Sequence, residues 1–402
     1  MDTLCIPVAE ELKEYRKQAI RLLARTYTEA VGVLVLDREL SHFESSKASI
    51  LELAIRVICC GWLKRLWTLQ EASLAIKADG IDTLYIQMAD GPAYWNRRSK
   101  CFESGPSDPE PTPYRVSPLS VSVKDEKTDL VYGLHFETIM QDRLPSIREI
   151  QEPRFGTRFL SIMNAVQNRS TSKRGDEPIC MASLLGLDLQ QILDARDADE
   201  RMMKFYRILY EIPKAIVFAD FGFPDFLSRN LATAPYRWAP RSLLSLEQPM
   251  EINLAFSAMD NMDHPSYLMG SCEHDGFHMQ HPGYIFNETH PITIGRKSVI
   301  FDTNDGKTYT LSLALSDGSP QTIGPIERCV LIFKTDICSD VIIATIESEM
   351  ALEAGSCYYV AIIGHGTVGP QSAGTPGRDD QSVSLGLMYG SSTAKDQRWC
   401  FT

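Results

Sequence analysis

The sequence has 402 residues, 44% of them hydrophobic and 23% charged, a composition that excludes a fibrous or wholly disordered chain. Forty basic residues against 52 acidic ones leave a net charge of -12, which argues against nucleic acid or an anionic membrane surface as the main partner. Single cores stop growing at roughly 250 to 300 residues, so two or three domains are expected. The opening MDTLCIPVAEELKEY lacks the basic start and apolar run of a signal peptide. No stretch approaches the roughly 18 apolar residues of a membrane span, so a cytoplasmic protein is expected. Ten cysteines are too sparse for a disulfide scaffold and read as reduced, buried small hydrophobes.

In chain order, residues 8–30 form an amphipathic helix pattern, with Leu12, Tyr15, Ala19, Leu22, Thr26 and Ala30 as the inward stripe. The continuous apolar run Val31 to Leu36, ending in Asp37, predicts a strand covered on both faces, as in a parallel sheet. A second helix is expected from about Ser46 to Cys60, with Gly61 as its stop. The stretch GWLKRLWTLQE, 61–71, then opens a third helix. TLYIQMA, 83–89, reads as a short strand before the turn Asp90-Gly91-Pro92.

Residues 1–92 are therefore expected to be an α/β piece, and 93–143, with prolines crowded between Cys101 and Lys127, a Pro-rich linker. Residues 144–250 read as helical, with helices over 155–167, 179–185, 189–195 and 200–212. Residues 251–402 read as β-rich, through SVIFD, TYTLSLAL, CVLIFKT, DVIIATI and CYYVAII.

Trp62, Leu66 and Leu69 fall on one face of the third helix and Leu63, Trp67 and Leu74 on another, so it is predicted to be buried, with both tryptophans in the core and Lys64 and Arg65 on a solvated edge. Glu71 follows Trp67 by one turn. A carboxylate against an indole in an apolar helix is costly unless paired, so it is either an ion-pair or exposed residue, or an active-site acid. Gly364 to Gly369 fits G-x-G-x-x-G after a strand, but Pro370, Gly374, Pro376 and Gly377 cannot supply the helix N-terminus a pyrophosphate needs, and a flexible loop is expected. Cys272, His274, His278 and His281 form a Cys/His cluster whose spacing matches no standard zinc pattern; they read as ordinary loop and strand residues, and no metal is assigned.

The early motifs, taken together and in order, resemble the fungal heterokaryon incompatibility (HET) domain. Its W-I-D-x-x-C-I strand is matched by Asp2-Thr3-Leu4-Cys5-Ile6, its following helix by the one leading into Tyr27 and Ala30, its next strand by VLVLD at 33–37, and its W-x-x-R-x-W-T-x-Q-E by Trp62, Arg65, Trp67, Thr68, Gln70 and Glu71. NRSTSKRGDEPICMASLLGLD (168–188), YRWAPRSLL (236–244) and HPGYIF (281–286) look like segments that follow the domain in many such proteins. In them Arg169, Asp176, Glu177 and Arg241 read as capping and ion-pair residues.

The resemblance implies non-self recognition leading to programmed cell death in fungi, with protein partners or self-association and no required cofactor. HET domains are similar to TIR domains, in which a carboxylate in a W-C-x-x-E helix serves NAD cleavage; Trp67 to Glu71 have that spacing, with Thr68 in place of Cys. This implies Glu71 as a catalytic residue, NAD as its substrate, and Asp2 and Asp37, at the carboxyl ends of strands in an incomplete parallel TIR-like sheet, as pocket residues. Breaking the nicotinamide–ribose bond develops oxocarbenium character that a nearby carboxylate stabilises. Trp62, Arg65, Trp67, Thr68 and Gln70 are expected to be structural. The family pattern also carries a strand and a Ser-x-x-Trp-like motif ahead of the first match, whereas here Met1 directly precedes Asp2; an N-terminally incomplete domain with an exposed apolar sheet edge is expected. Three functions follow: a signalling module, an NAD-cleaving enzyme, or an inactive remnant.

Overall fold

The computed structural model describes residues 6–7, 9–48, 50–75, 84–96, 101–104, 155–167, 169–218, 229–244, 269–286, 291–294, 298–302, 306–313, 321–325, 328–334, 340–352, 355–370, 385–393 and 396–402. The chain forms two compact units, Met1–Arg201 with Leu243–Ser245, and Met202–Ser242 with Leu246–Thr402. The helical region expected over 144–250 is thus divided between them, and its first helices share a unit with the N-terminal α/β piece. The prolines of the expected linker lie outside the described residues.

In the first unit, helix α1 (Lys13–Glu29) precedes strand β1 (Val33–Val35), helix α2 (Ile50–Cys59), the short helix α3 (Gly61–Lys64) and helix α4 (Thr68–Ala75). Strands β2 (Leu84–Met88), β3 (Gly91–Asn96) and β4 (Cys101–Ser104) follow, then helices α5 (Phe155–Val166), α6 (Glu177–Leu184), α7 (Gln190–Leu193) and α8 (Ala198–Ile208), the last crossing into the second unit. The sheet runs β1-β2-β3-β4. It is mixed: β1 and β2 are parallel, but β2–β3 and β3–β4 are antiparallel, because the turn at Ala89–Asp90 folds β3 straight back on β2.

Two expectations change here. Among the described residues strand β1 ends the sheet order and is covered on one face only, with Val35 buried and Leu34 and Leu36 exposed, where the apolar run predicts cover on both faces. On α1, Tyr15, Leu22 and Thr26 face solvent, while Ile20, Leu23 and Tyr27 are half-buried, on a helix that packs against α4. Two adjoining stripes share the helical period, and the position of α4 selects between them. The core under the sheet gathers Val35, Leu53, Val57, Trp62, Leu63, Leu84 and Ile86. Lys17 reaches Asp194, just after α7, at 2.6 Å.

The second unit is β-rich, as expected. Its strands are β5 (Glu211–Pro213), β6 (Met269–Cys272), β7 (Phe277–Gln280), β8 (Gly283–Phe286), β9 (Pro291–Ile294), β10 (Ser298–Asp302), β11 (Thr308–Leu313), β12 (Gln321–Pro325), β13 (Cys329–Phe333), β14 (Asp340–Leu352), β15 (Gly355–Pro370), β16 (Leu385–Ser392) and β17 (Arg398–Phe401). The large sheet runs β11-β10-β16-β8-β13-β14-β15-β17-β7-β6-β5, and β11 also pairs with β15. That second pairing closes β11-β10-β16-β8-β13-β14-β15 into a ring, a barrel whose edges are removed by closure. Its interior holds Tyr284, Phe286, Phe301, Tyr309, Leu331 and Val368, with the Phe301 ring 4.9 Å from that of Tyr284 and 5.9 Å from that of Tyr309.

Opposite β14, strand β15 changes neighbour along its length. Its first half pairs in parallel with β17 through Cys357 to Val360, and its second half pairs with β11 through Gly366 to Pro370. The GHGTVG stretch is therefore strand and not the expected loop, since neighbours on both sides take up its backbone hydrogen bonds. Beyond the barrel, Trp238 stacks on Phe277 at 4.7 Å and meets Tyr206 at 5.4 Å, filling the face of the β17-β7-β6-β5 extension. Among the described residues no helix is long and apolar enough to cross a membrane.

Candidate functional site

The GWLKRLWTLQE segment is not one helix. It breaks at Arg65, whose backbone is extended at φ -83° and ψ 139°, and resumes as α4 at Thr68. The break is held by residues 169 and 170: Leu66 N donates to Ser170 O at 2.9 Å, and Ser170 N donates to Lys64 O at 2.7 Å. Arg169 is buried and donates to the carbonyls of Ala165 and Arg65, both at 3.0 Å, and to the Thr68 hydroxyl at 2.9 Å. That hydroxyl in turn lies 2.6 Å from the Trp62 and Arg65 carbonyls. Carbonyls freed by the break thus find charged or hydroxyl donors, at net values of about 1.5–3 kcal/mol for bonds to a charged group.

Both tryptophans use their indole nitrogens. Trp62 is buried and its Nε1 donates to Glu71 Oε2 at 3.0 Å; Trp67 is half-buried and its Nε1 donates to Asp176 Oδ2 at 2.9 Å. Leaving a buried indole N–H without an acceptor would cost about 1–3 kcal/mol, so Glu71 has a structural task. Asp37, two residues beyond β1, holds the other end of Trp62: its Oδ2 accepts from Trp62 N at 2.9 Å, while Oδ1 accepts from Glu39 N at 3.0 Å. Glu177 is fully buried and its carboxylate accepts from Leu243 N at 2.5 Å, a residue outside any helix. Lys64 and Arg65 are on the exposed side.

Asp37 and Glu71 therefore meet on Trp62 and do not open into a common pocket. Glu71 does line a cavity of about 50 Å³, with Ile6, Leu23, Tyr27, Trp67 and Gln70. Drug-sized ligands occupy roughly 300–1,000 Å³, so a dinucleotide does not fit this space. Gln70 is fully buried, and its amide has no hydrogen-bond partner among the described residues. Asp2 lies outside the described residues, as does the strand it was expected to end.

A larger cavity, about 800 Å³, belongs to the second unit. Its walls include Lys214, Ser271, Asp275, His278, Tyr359 and Arg398. Lys214 donates to the Gln280 carbonyl at 2.5 Å, and burial pulls its amine down to about 8. His278 Nε2 lies 2.9 Å from Asp275 Oδ1, and the Tyr359 hydroxyl donates to Asp275 Oδ2 at 2.9 Å. Burial pushes the Asp275 carboxyl up, but these two hydrogen bonds outweigh it and hold the group below the usual carboxylate range. Of the Cys/His cluster read from the sequence, only His278 joins a ligand-like group here, with Asp275 and Cys400. His281 instead turns to the Phe333 carbonyl, His274 is largely exposed, and Cys272 is buried. Sequence reasoning missed Lys214, Asp275 and Cys400; the one signal available was the Asp275-Gly276 pair, a turn dipeptide between two short strands.

No family model matches the chain, and none of the curated proteins or solved structures matches it.

Proposed function

We propose that the chain is a heterokaryon-incompatibility-type protein whose first unit, a TIR-like α/β module, acts in non-self recognition by associating with other copies or with protein partners. The observation that carries this reading is the edge of the sheet: among the described residues β1 ends the strand order, and Val31, Leu34 and Leu36 in and beside it are 93%, 50% and 73% exposed. An edge strand with apolar neighbours is a template for pairing with another chain. The reading is further supported by Glu71, which is engaged by the Trp62 indole in a cavity too small for a dinucleotide.

Sedimentation velocity of the full chain over rising concentration tests it. Larger species are expected to grow with concentration and to vanish in the Leu34→Glu/Leu36→Glu variant, whose substitutions sit at exposed positions. A wild-type chain that stays monomeric at every workable concentration would sink the association reading. NAD cleavage at Glu71 is the second reading; in its favour, the carboxylate has the Trp67-to-Glu71 spacing and borders a cavity beside Tyr27. An inactive remnant would show neither behaviour.

A further inference from the structure

We propose that Asp275, His278 and Cys400 form a binding site for a borderline-soft divalent cation of the zinc class, with a fourth coordination position facing the large cavity of the β-rich unit. One ligand atom from each of the three residues lies within 4.8 Å of the others. Tetrahedral zinc with one sulfur, one nitrogen and one oxygen ligand needs separations of about 3.3–3.8 Å, so side-chain adjustment without backbone movement closes the set.

The register of the sheet explains why these residues meet although Asp275 and Cys400 are 125 residues apart in sequence. Cys400 is the cross-strand partner of His278 on β7 and of Tyr359 on β15, so the three side chains lie in one row on one face of three adjacent strands. Asp275 enters from the β6–β7 turn. That turn is pressed onto β17 at Gly276, where φ is 153° and a Cβ would lie 2.3 Å from the Phe401 carbonyl oxygen and 2.8 Å from Cys400 Sγ. Only glycine permits this approach, and it brings Asp275 over the thiol.

The chemistry of the set is selective. Sulfur, imidazole and carboxylate together suit zinc and disfavour magnesium or calcium, which want oxygen alone. Cys400 is fully buried within the row, whereas Asp275, His278 and Tyr359 line the cavity, so a fourth ligand, water or a small anion, would approach from that side. Three protein ligands and one open position is the pattern of reactive zinc sites, as against closed structural ones. Tyr359 supplies the outer hydrogen bond that fixes the carboxylate, the role outer-shell groups play around metal ligands. An ion seated here would take the place of the hydrogen bond between His278 Nε2 and Asp275, with a proton on that nitrogen released to solvent, and Cys400 would coordinate as thiolate, its proton also passing to solvent.

The test uses the full chain, reduced and stripped with a chelator, titrated with Zn²⁺ alone and with Co²⁺ alone as the spectroscopic probe. One tightly held ion per chain is expected, and Co²⁺ should give a sulfur-to-metal charge-transfer band. That band should disappear in Cys400→Ser and persist in Cys272→Ser. Tyr359→Phe should keep the band and weaken affinity about 10- to 100-fold. If Cys400→Ser does not fold by circular dichroism, His278→Gln at a partly exposed position decides: loss of tight Zn²⁺ binding supports the site. Absence of tight binding in the wild type, or a band unchanged in Cys400→Ser, would overturn it.

Discussion

Around Glu71 the buried polar groups, the Gln70 amide excepted, close on one another, whereas around Asp275 they line open space. In the first region two indoles, an arginine and a threonine each find a partner within 3.0 Å, and the residual cavity is about 50 Å³. In the second, a lysine, a histidine, a carboxylate and a tyrosine border about 800 Å³. The region with the most diagnostic sequence pattern is thus occupied by its own structure, and the region with the capacity to hold a ligand has the weaker pattern. A motif of large side chains at fixed spacing is what a tightly packed corner requires, because every member constrains its neighbours. A cavity constrains its lining far less.

The comparison can be broken most sharply at Arg169. If the closed region depends on its guanidinium, Arg169→Leu should lower stability by about 3 kcal/mol, read as a shift in the denaturant midpoint of the first unit, because two buried acceptors, Ala165 O and the Thr68 hydroxyl, lose this donor and Arg65 O keeps only its bond from Thr68. A shift below about 1 kcal/mol would mean that the break at Arg65 is held by other contacts.

The second prediction concerns acid. Burial pulls His281 down to about 4 despite its bond to the Phe333 carbonyl. The unfolded chain therefore takes up this proton from about pH 6.5 downward while the folded chain does not, so stability is full above pH 6.5 and falls as pH drops toward 4. The slope is at most roughly 1.4 kcal/mol per pH unit. Denaturation of the β-rich unit across this window should show that fall, and His281→Leu should flatten it. The smallest effect is expected at Glu71→Gln, where the amide oxygen can still accept from Trp62; stability should stay within about 1 kcal/mol of wild type.

Much of the fold was legible in the sequence. The helices near 155–166, 177–184 and 198–208 and the long strands of the second unit show their own periodicity or β-branched runs, and they stand close to where spacing put them. The inward face of α1 was not legible, because Leu22 and Leu23 belong to adjoining stripes and only α4 decides between them. Nor was the break at Arg65, which is imposed by Ser170 from more than a hundred residues away in sequence. The same holds for barrel closure, and for the meeting of Asp275 and His278 with Cys400, which depends on strand order. Glu71 was legible as a special position, but its partner was not: the pattern names the carboxylate and both indoles without saying that one indole claims it.

The most direct measurement is NAD turnover by the purified full chain beside Glu71→Gln, with folding checked in both. The account predicts that each consumes NAD no faster than a protein-free control. Consumption by the wild type that disappears in an equally stable Glu71→Gln would contradict it and would make the Trp62–Glu71 contact one state of a working active site.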